Sequence, residues 1–593
     1  MKNTVLSPQS DNVEKSKVKV VLAKKMTKTP HHKKDNTGIN PEPASGIFND
    51  TLEYQVDWLQ RSVLYLDTLR ERSNVILKHE QAGLPPVLDF EYETILDARQ
   101  FDTPVNYALL RITVLGDDCL EDCIEEGARP VIVFDPRAGH GPGIGGFKRE
   151  SEVGMALHEG HPVYFVSFFP EPCPEQTLED VLHALRRFVE EVIKRHPDTP
   201  PPVLYGNCQA GWSVVLLSAD CEGMTGPAIL NGSPLSYWSG EDDVNPMRLA
   251  GGLLGGAWLT HLLADLGDGR FDGAWLAQNF ESLNPANTLW DKNYNLFSKV
   301  DSERERFLEF ERWWNGFYFL NKAEMTSIVE NLFIGNKPER GEMKVCGGCY
   351  VDLKRIRNPL LIFASSGDNI TPPHQALNWI PAVYPDTKAL KDAGQRIVYL
   401  LNPQVGHLGI FVSAKVARFE HRAMLENVDE LEQLEPGLYE MKIDNLSGNP
   451  DCSKSQYTVT FEERNVEDIH YETHPEAFEK VNQVSKLNTA LYEAFAGPWI
   501  RSMVTPWSAE YLKLTHPMRM NAYLYSERFN PLMLGVANMA SLVGEDRKIA
   551  AEANPYIGIE QQVSRGISES LDGYRKLRDN TYEQMFNWMY GQN

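Results

Sequence analysis

The stretch "PVLYGNCQAGWSVVLLSA", Pro202 to Ala219, decides the fold class. A short apolar strand runs into a cysteine set between Gly206 and the pair Ala210–Gly211, and an apolar helical run begins at once. A strand can turn this sharply into a helix only if the residues two before and two after the turn are small, and the residue at the apex then protrudes. Such an elbow aims Cys208 above the sheet, while the backbone N–H of the next residue, Gln209, is placed to hold an oxyanion. The competing reading is a buried structural cysteine at a strand-to-helix turn.

Working outward, short β-rich runs alternate with helical ones. "VNYALLRITV", "RPVIVFD" and "PVYFVSFF" precede the helical "TLEDVLHALRRFVEEVIKRH". "PAILNG" follows the elbow, and "PLLIFASS" and "RIVYLL" come after a long interval. Nearly continuous apolar strands separated by helices describe a parallel sheet covered on both faces, an α/β core. The elbow further requires an acid beyond a later strand and then a histidine beyond the last one. Asp368 follows "NPLLIFASSG" and His407 lies in "VYLLNPQVGHLG", so both reach the sheet edge that carries Cys208. Three residues in the required order predict an α/β-hydrolase fold with a Cys208–His407–Asp368 triad.

The intervals divide the chain. Residues 1–46 form a basic tail without apolar periodicity, expected to be disordered, and 47–104 form an N-terminal helical region. The core occupies 105–235 and 349–415. Between these parts, 236–348 reads as a helical cap over the site, rich in tryptophan. Residues 416–593 read as a mostly helical extension with a possible hairpin at "GLYEMKI" and "QYTVTFEER". In the N-terminal helix Leu52, Val56, Leu59, Val63 and Leu66 make an apolar stripe, expected to pack on its own domain or, alternatively, on another subunit. Ile559, Val563, Ile567, Leu571 and Tyr574 mark a similar stripe in the last helix, which must pack in this chain or another.

On these motifs the chain resembles the polyhydroxyalkanoate synthases, whose elbow has the form G-x-C-x-G-G where this sequence has G-N-C-Q-A-G. "VDLKRIRNPLLIFASSGDNITPP" is similar to that family's acid loop, "GHLG" to its histidine turn, and "NTLWDKNYNLF" and "FERWWNGFYFLNKAEM" to its cap. The likeness spans about Arg129 to Val412. It is strongest to a divergent synthase-like group of unassigned function that shares the long C-terminal extension. By this resemblance Cys208 is the acylated cysteine, Asp368 the acid and His407 the base. Two departures stand out: Ala210 replaces a glycine, and Asn369 stands where the synthases usually carry a histidine.

Thiolate attack on an acyl-CoA thioester yields another thioester, an exchange nearly balanced in energy that keeps the acyl group activated for a hydroxyl acceptor. Water as acceptor would make a thioesterase instead. A third possibility is a granule-associated scaffold that keeps the fold while its helical extensions make the contacts. The second oxyanion donor is expected in "DPRAGHGPGIGGF", from Arg137, Ala138 or Gly139. His140 either lines the pocket or is a solvated loop residue, and Asn369 is a candidate substrate contact. The same loop holds a formal G-x-G-x-x-G, Gly141 to Gly146, but no helix starts at once, which disfavours a dinucleotide site. No cofactor is expected beyond the coenzyme A of the substrate. Cys346 with Cys349 makes a CxxC and Cys119 with Cys123 a second, looser pair; four thiolates could hold zinc, but the distance between the pairs is uninformative and no metal site is expected. The glycine-rich run Leu249–Ala264 reads as a closely packed cap helix or, alternatively, as a mobile lid or polymer-touching surface.

A formal charge of −24 excludes nucleic acid as the main partner, since phosphate binding needs a clustered basic surface. The longest apolar run is too short to span a bilayer. A cytoplasmic location is expected, with possible association with a hydrophobic polymer or granule surface, and a homo-oligomer.

Overall fold

A computed structural model describes residues 44–591 except 114–123, 126, 243, 347–348, 446–456 and 472. Most of the basic tail, Cys119, Cys123 and the side chains of Cys346 and Cys349 therefore lie outside the described residues.

The centre is a ten-stranded sheet. Its strands are β1 (Glu91–Asp97), β2 (Tyr107–Thr113), β3 (Val131–Phe134), β4 (Val163–Phe168), β5 (Val203–Asn207), β6 (Ala228–Asn231), β7 (Leu360–Ser365), β8 (Arg396–Asn402), β9 (Gly437–Asn445) and β10 (Tyr457–Arg464). They lie in the order β1-β2-β4-β3-β5-β6-β7-β8-β9-β10. From β4 to β9 neighbouring strands run parallel, while β1, β2 and β10 are antiparallel to their neighbours. The helices that matter below are α1 (Ala44–Gln81), α2 (Glu152–His158), α3 (Leu178–Arg195), α4 (Gln209–Cys221), α5 (Val300–Trp314), α6 (His407–Val412), α7 (Leu532–Glu545) and α8 (Pro555–Tyr590). Strands β3, β5 and β6 are buried along their whole length, which is why they read as continuous apolar runs. On one face α3 and α4 cover the sheet, with Phe188, Val192 and Leu217 against Ile132 and Leu204; on the other, α2 and the segment after α6 bury Val133, Tyr205 and Phe363. This is the α/β-hydrolase fold, with a helical cap inserted between β6 and β7 and helical regions at both ends.

Two expected boundaries move. The region 47–104 is not wholly helical, because β1 opens the sheet. The extension does not begin at 416, because the hairpin β9–β10 joins the core: β9 pairs in parallel with β8, Arg396 opposite Gly437 and Tyr399 opposite Glu440. Strand neighbours are fixed by long-range pairing, which local periodicity does not encode.

The glycine-rich run is packed closely, as the plainer reading held. A Cβ on Gly252 would lie 2.6 Å from Phe586 and 3.0 Å from Val481, so the cap approaches the C-terminal helices through its glycines. Tyr590 donates its hydroxyl to the Gly252 carbonyl at 3.0 Å. Helix α8 thus packs within this chain, also at its other end, where Glu560 takes a two-pronged ion pair from Arg61 of α1.

The two terminal stripes are only partly covered within the chain, with Val56, Val63, Ile567 and Leu571 half-buried. Leu52 and Leu59 of α1 are 51% and 59% exposed, and Ile559 and Val563 of α8 are 54% and 57% exposed. The faces that pack inward carry Asp57, Arg61, Asp67, Ser564 and Asp579. Ion pairs join these stretches to the body, while Leu69, Ile76 and Leu77 of α1 and Phe586 and Tyr590 of α8 are buried apolar anchors further along the same helices.

Candidate active site

The site is built at the carboxyl ends of β5, β7 and β8. Cys208 adopts φ +48° and ψ −119°, a conformation L-residues rarely take and one that costs on the order of 1–3 kcal/mol. The surroundings enforce it. Cys208 N–H donates to the Asn231 carbonyl at 2.8 Å, and a Cβ on Gly206 would sit 2.8 Å from Gly211 Cα. Gly211 is needed because its own Cβ would overlap Ser233 Oγ. Ala210, the departure from the double glycine, is buried without such a conflict.

The three candidates meet. His407 Nε2 lies 3.2 Å from Cys208 Sγ, and its Nδ1 lies 2.7 Å from Asp368 Oδ2. The second oxygen of Asp368 accepts the N–H groups of Ile370 and Thr371, both at 2.8 Å, which aims the carboxylate at the imidazole. All three side chains are buried. Burial opposes charge on His407, yet the Asp368 carboxylate and the Cys208 sulfur outweigh it and raise its pKa to about 10. The imidazole is therefore held ready to carry a proton beside the sulfur.

Cys208 opens into a cavity of about 260 Å³. Ile144, Phe280, Phe310, Trp314 and Phe411 give it an apolar wall, and Ala138, His140, Asn284 and Asn369 reach it with polar or small groups. His140 is buried against Trp313 and Trp314 at ring distances of 4.4 and 5.3 Å, so it lines the site and is not solvated. Burial lowers its pKa to about 4, leaving a neutral ring at pH 7.

The candidate oxyanion groups divide. Gln209 places its N–H at the first turn of α4, next to the sulfur. Ala138 lines the cavity, but its N–H donates to the Pro136 carbonyl at 2.9 Å. Gly139, at φ +105°, presses on Gly273 of the cap and accepts from Tyr318 N–H at 3.0 Å. Arg137 turns away from the cavity: its guanidinium pairs with Glu324 at 2.8 Å and donates to Asn106 and to the Phe319 carbonyl at 3.0 Å. This guanidinium anchors the loop to the cap, while the donor expected of Arg137 is its backbone N–H. Gly143 and Ile144, within the glycine motif, donate both N–H groups to Asp135 at 2.7 Å, so these amides are already spent.

Several participants gave no signal in the sequence. Lys292 of the cap lines the cavity and pairs with Glu311 at 3.1 Å, one of several lysines in the insertion with nothing in the sequence to mark it out. Behind the nucleophile, Asn207 donates one amide hydrogen to buried Glu152 and accepts from Asn231 at 2.9 Å. Burial, against the Asn207 hydrogen bond, pushes the Glu152 carboxyl up to about 8. His421 accepts from the Tyr205 hydroxyl at 2.5 Å and donates to the Ile410 carbonyl at 2.7 Å, strapping the strand of the nucleophile to the helix of the base. A larger open groove of about 1080 Å³, beside Trp238, Arg340 and His470, shares no lining residue with the Cys208 cavity.

The model of the family described as a protein of unknown function, DUF3141, matches residues 57–593. The chain belongs to that family. This DUF3141 chain is 44% identical over 558 residues to the "uncharacterized protein in ackA 5'region" of Rhizobium meliloti, a match covering 93% of this chain and 75% of the relative. Among solved structures, a soluble variant of the monoglyceride lipase of Saccharomyces cerevisiae is 14% identical and covers 59% of the DUF3141 chain and 96% of the lipase, at a TM-score of 0.37. An esterase of Pyrobaculum calidifontis is 11% identical, covering 62% of this chain and 93% of the esterase at 0.32. Among the described residues no single helix is long and apolar enough to cross a membrane.

Proposed function

We propose that the protein is an acyl-transfer enzyme that carries its acyl group as a thioester on Cys208, in the manner of the polyhydroxyalkanoate synthases its motifs resemble. The observation that carries this reading is the Cys208–His407–Asp368 relay at 3.2 and 2.7 Å, at the base of an apolar cavity. The Cys208 thiolate attacks the carbonyl carbon of an acyl-CoA, forming an oxyanion held by the Gln209 N–H. Collapse breaks the carbon–sulfur bond to coenzyme A, whose sulfur takes the proton from His407. His407 then removes a proton from an incoming hydroxyl, whose oxygen attacks the acyl-cysteine and regenerates the thiolate. A cavity of about 260 Å³ holds an acyl chain but not a whole coenzyme A, so the nucleotide end would stay outside. Asn369 borders the cavity where the synthases usually have a histidine, so the network around the acceptor differs from theirs. Water in the acceptor's place would make the same site a thioesterase.

Incubation with 3-hydroxybutyryl-CoA, following free coenzyme A and product together, tests the reading. Coenzyme A release with an ester product is the expected result, and release with free acid selects the thioesterase. Intact-mass analysis should find one acyl adduct that Cys208→Ala removes. An adduct retained in that variant, or no release from any acyl-CoA, overturns the proposal.

A further inference from the structure

The exposed apolar side chains of this molecule are concentrated in one part of it. Between residues 98 and 486, the only large apolar side chains exposed among the described residues are Leu254, Leu289 and Tyr350. The layer formed by α1, α7 and the segments around them is the opposite. Leu532, Leu534 and Leu542 are 78%, 52% and 66% exposed, and α7, whose only charged residue is Glu545, buries just Val536 and Ala540. Helix α7 lies directly against α1, tied by Gln60 to the Asp546 carbonyl at 2.7 Å and by Arg547 to Asp57 at 2.8 Å. Their apolar sides are left outward.

We propose that this layer is the interface with a second copy of the same chain. The large apolar side chains exposed on these segments outnumber those on the rest of the described chain, and apolar area concentrated beyond roughly 300–600 Å² marks an interaction surface. The α1 stripe Leu52, Val56, Leu59, Val63, Leu66 advances by alternate steps of four and three, the spacing that a partner helix reads as a seam. That spacing was ambiguous in the sequence. Leu52, Leu59 and Leu66 of that stripe are exposed, so a partner outside the chain can use it.

Charge selects the partner. The whole chain carries −24, but the 119 residues from Pro475 onward hold 12 Lys and Arg against 13 Asp and Glu and α1 holds 4 against 6, so two copies meet here with little repulsion. A lipid surface is the poorer match. Interfacial helices bind anionic membranes through a belt of Lys and Arg beside the apolar face, and α7 has no basic residue at all.

Light scattering on the size-separated full-length chain at micromolar concentration should give twice the 67.1 kDa chain mass or an even multiple of it. Leu59→Glu with Leu66→Glu, and separately Leu534→Glu with Leu542→Glu, should each weaken association at least tenfold while the far-ultraviolet circular dichroism is kept. Should these variants fail to fold, hydrogen exchange on the wild type decides: protection of residues 52–66 and 532–545 should fall on dilution into the monomer. A wild-type mass of one chain throughout, exchange in these segments that ignores dissociation, or a monomer that instead floats with phosphatidylglycerol vesicles would overturn the proposal. So would folded double variants that remain fully associated.

Discussion

At Cys208 a strained backbone, a buried imidazole and a buried carboxylate support one another. The elbow puts sulfur where His407 can reach it, and Asp368 keeps the proton on His407 up to a pKa of about 10. An imidazolium thus faces the sulfur throughout the neutral range. Asp368→Asn should lower acyl transfer about 10³–10⁴-fold, as loss of the orienting acid does in related relays. His407→Ala should slow iodoacetamide alkylation of Cys208 at pH 7 at least tenfold, measured as loss of free thiol; an unchanged rate would mean the imidazole does not serve the sulfur. Glu152 supplies a separate pH effect. Its carboxyl is raised from 4.5 to about 8 by burial, so the folded state prefers it protonated. Its stabilising contribution is complete below about pH 4.5 and is lost as pH rises through about 8. Urea unfolding at pH 5, 7 and 9 should show wild-type stability falling across that range, and Glu152→Gln should flatten the decline. The triad residues were legible because their chain order and strand ends are sequence properties. Glu152 and His421 were not, because each meets its partner, Asn207 and Tyr205, only through the fold, and Lys292 was not, because nothing local shows that its helix borders the cavity.

At the scale of the element, the elbow was readable because small residues flank a single cysteine between two strong patterns. The structure adds which small residue matters. Gly211 faces Ser233 with no room for a Cβ, whereas Ala210 already carries one. Gly211→Ala should therefore destabilise the fold by about 1–3 kcal/mol, the usual cost of forcing extra volume into a packed site. Ala210→Gly should leave activity within about twofold, with at most about 1 kcal/mol lost to helix propensity. Denaturant unfolding and initial rates on the two variants check both statements, and equal effects would refute the assignment. The terminal helices show the limit of such reading. Their apolar stripes were visible in the sequence, but periodicity says that a face is apolar and not what covers it. The polar faces of α1 and α8 find exact charge partners across about 500 residues, Arg61 with Glu560 and Arg547 with Asp57, and those pairings decide which side turns inward.

At the scale of the whole molecule, the C-terminal extension reaches the loop beside Cys208 through the cap. Arg519 is buried and forks onto Asp272 at 2.8 and 3.0 Å, and Asp272 caps the next helix through Ala274 N–H. The adjoining Gly273 abuts Gly139 so closely that neither could carry a side chain, and Gly139 lies one residue from cavity-lining Ala138. A continuous line of packed backbone therefore runs from the extension to the loop over Cys208. Burial opposes charge on Arg519, but Asp272 and, more distantly, Glu80 compensate and hold it cationic. Arg519→Met leaves Asp272 buried without its partner, which should cost about 3–5 kcal/mol. Pairing it with Asp272→Asn should recover a large part of that loss, since the orphaned charge is then gone. If the line also positions the loop, the single variant will lower the rate of acyl-cysteine formation more than it weakens substrate binding, and the double variant will not restore it, because the fork that fixes Gly273 is still missing. Single-turnover acylation beside denaturant unfolding separates the two effects; equal recovery of rate and stability would reduce Arg519 to a fold-stabilising residue.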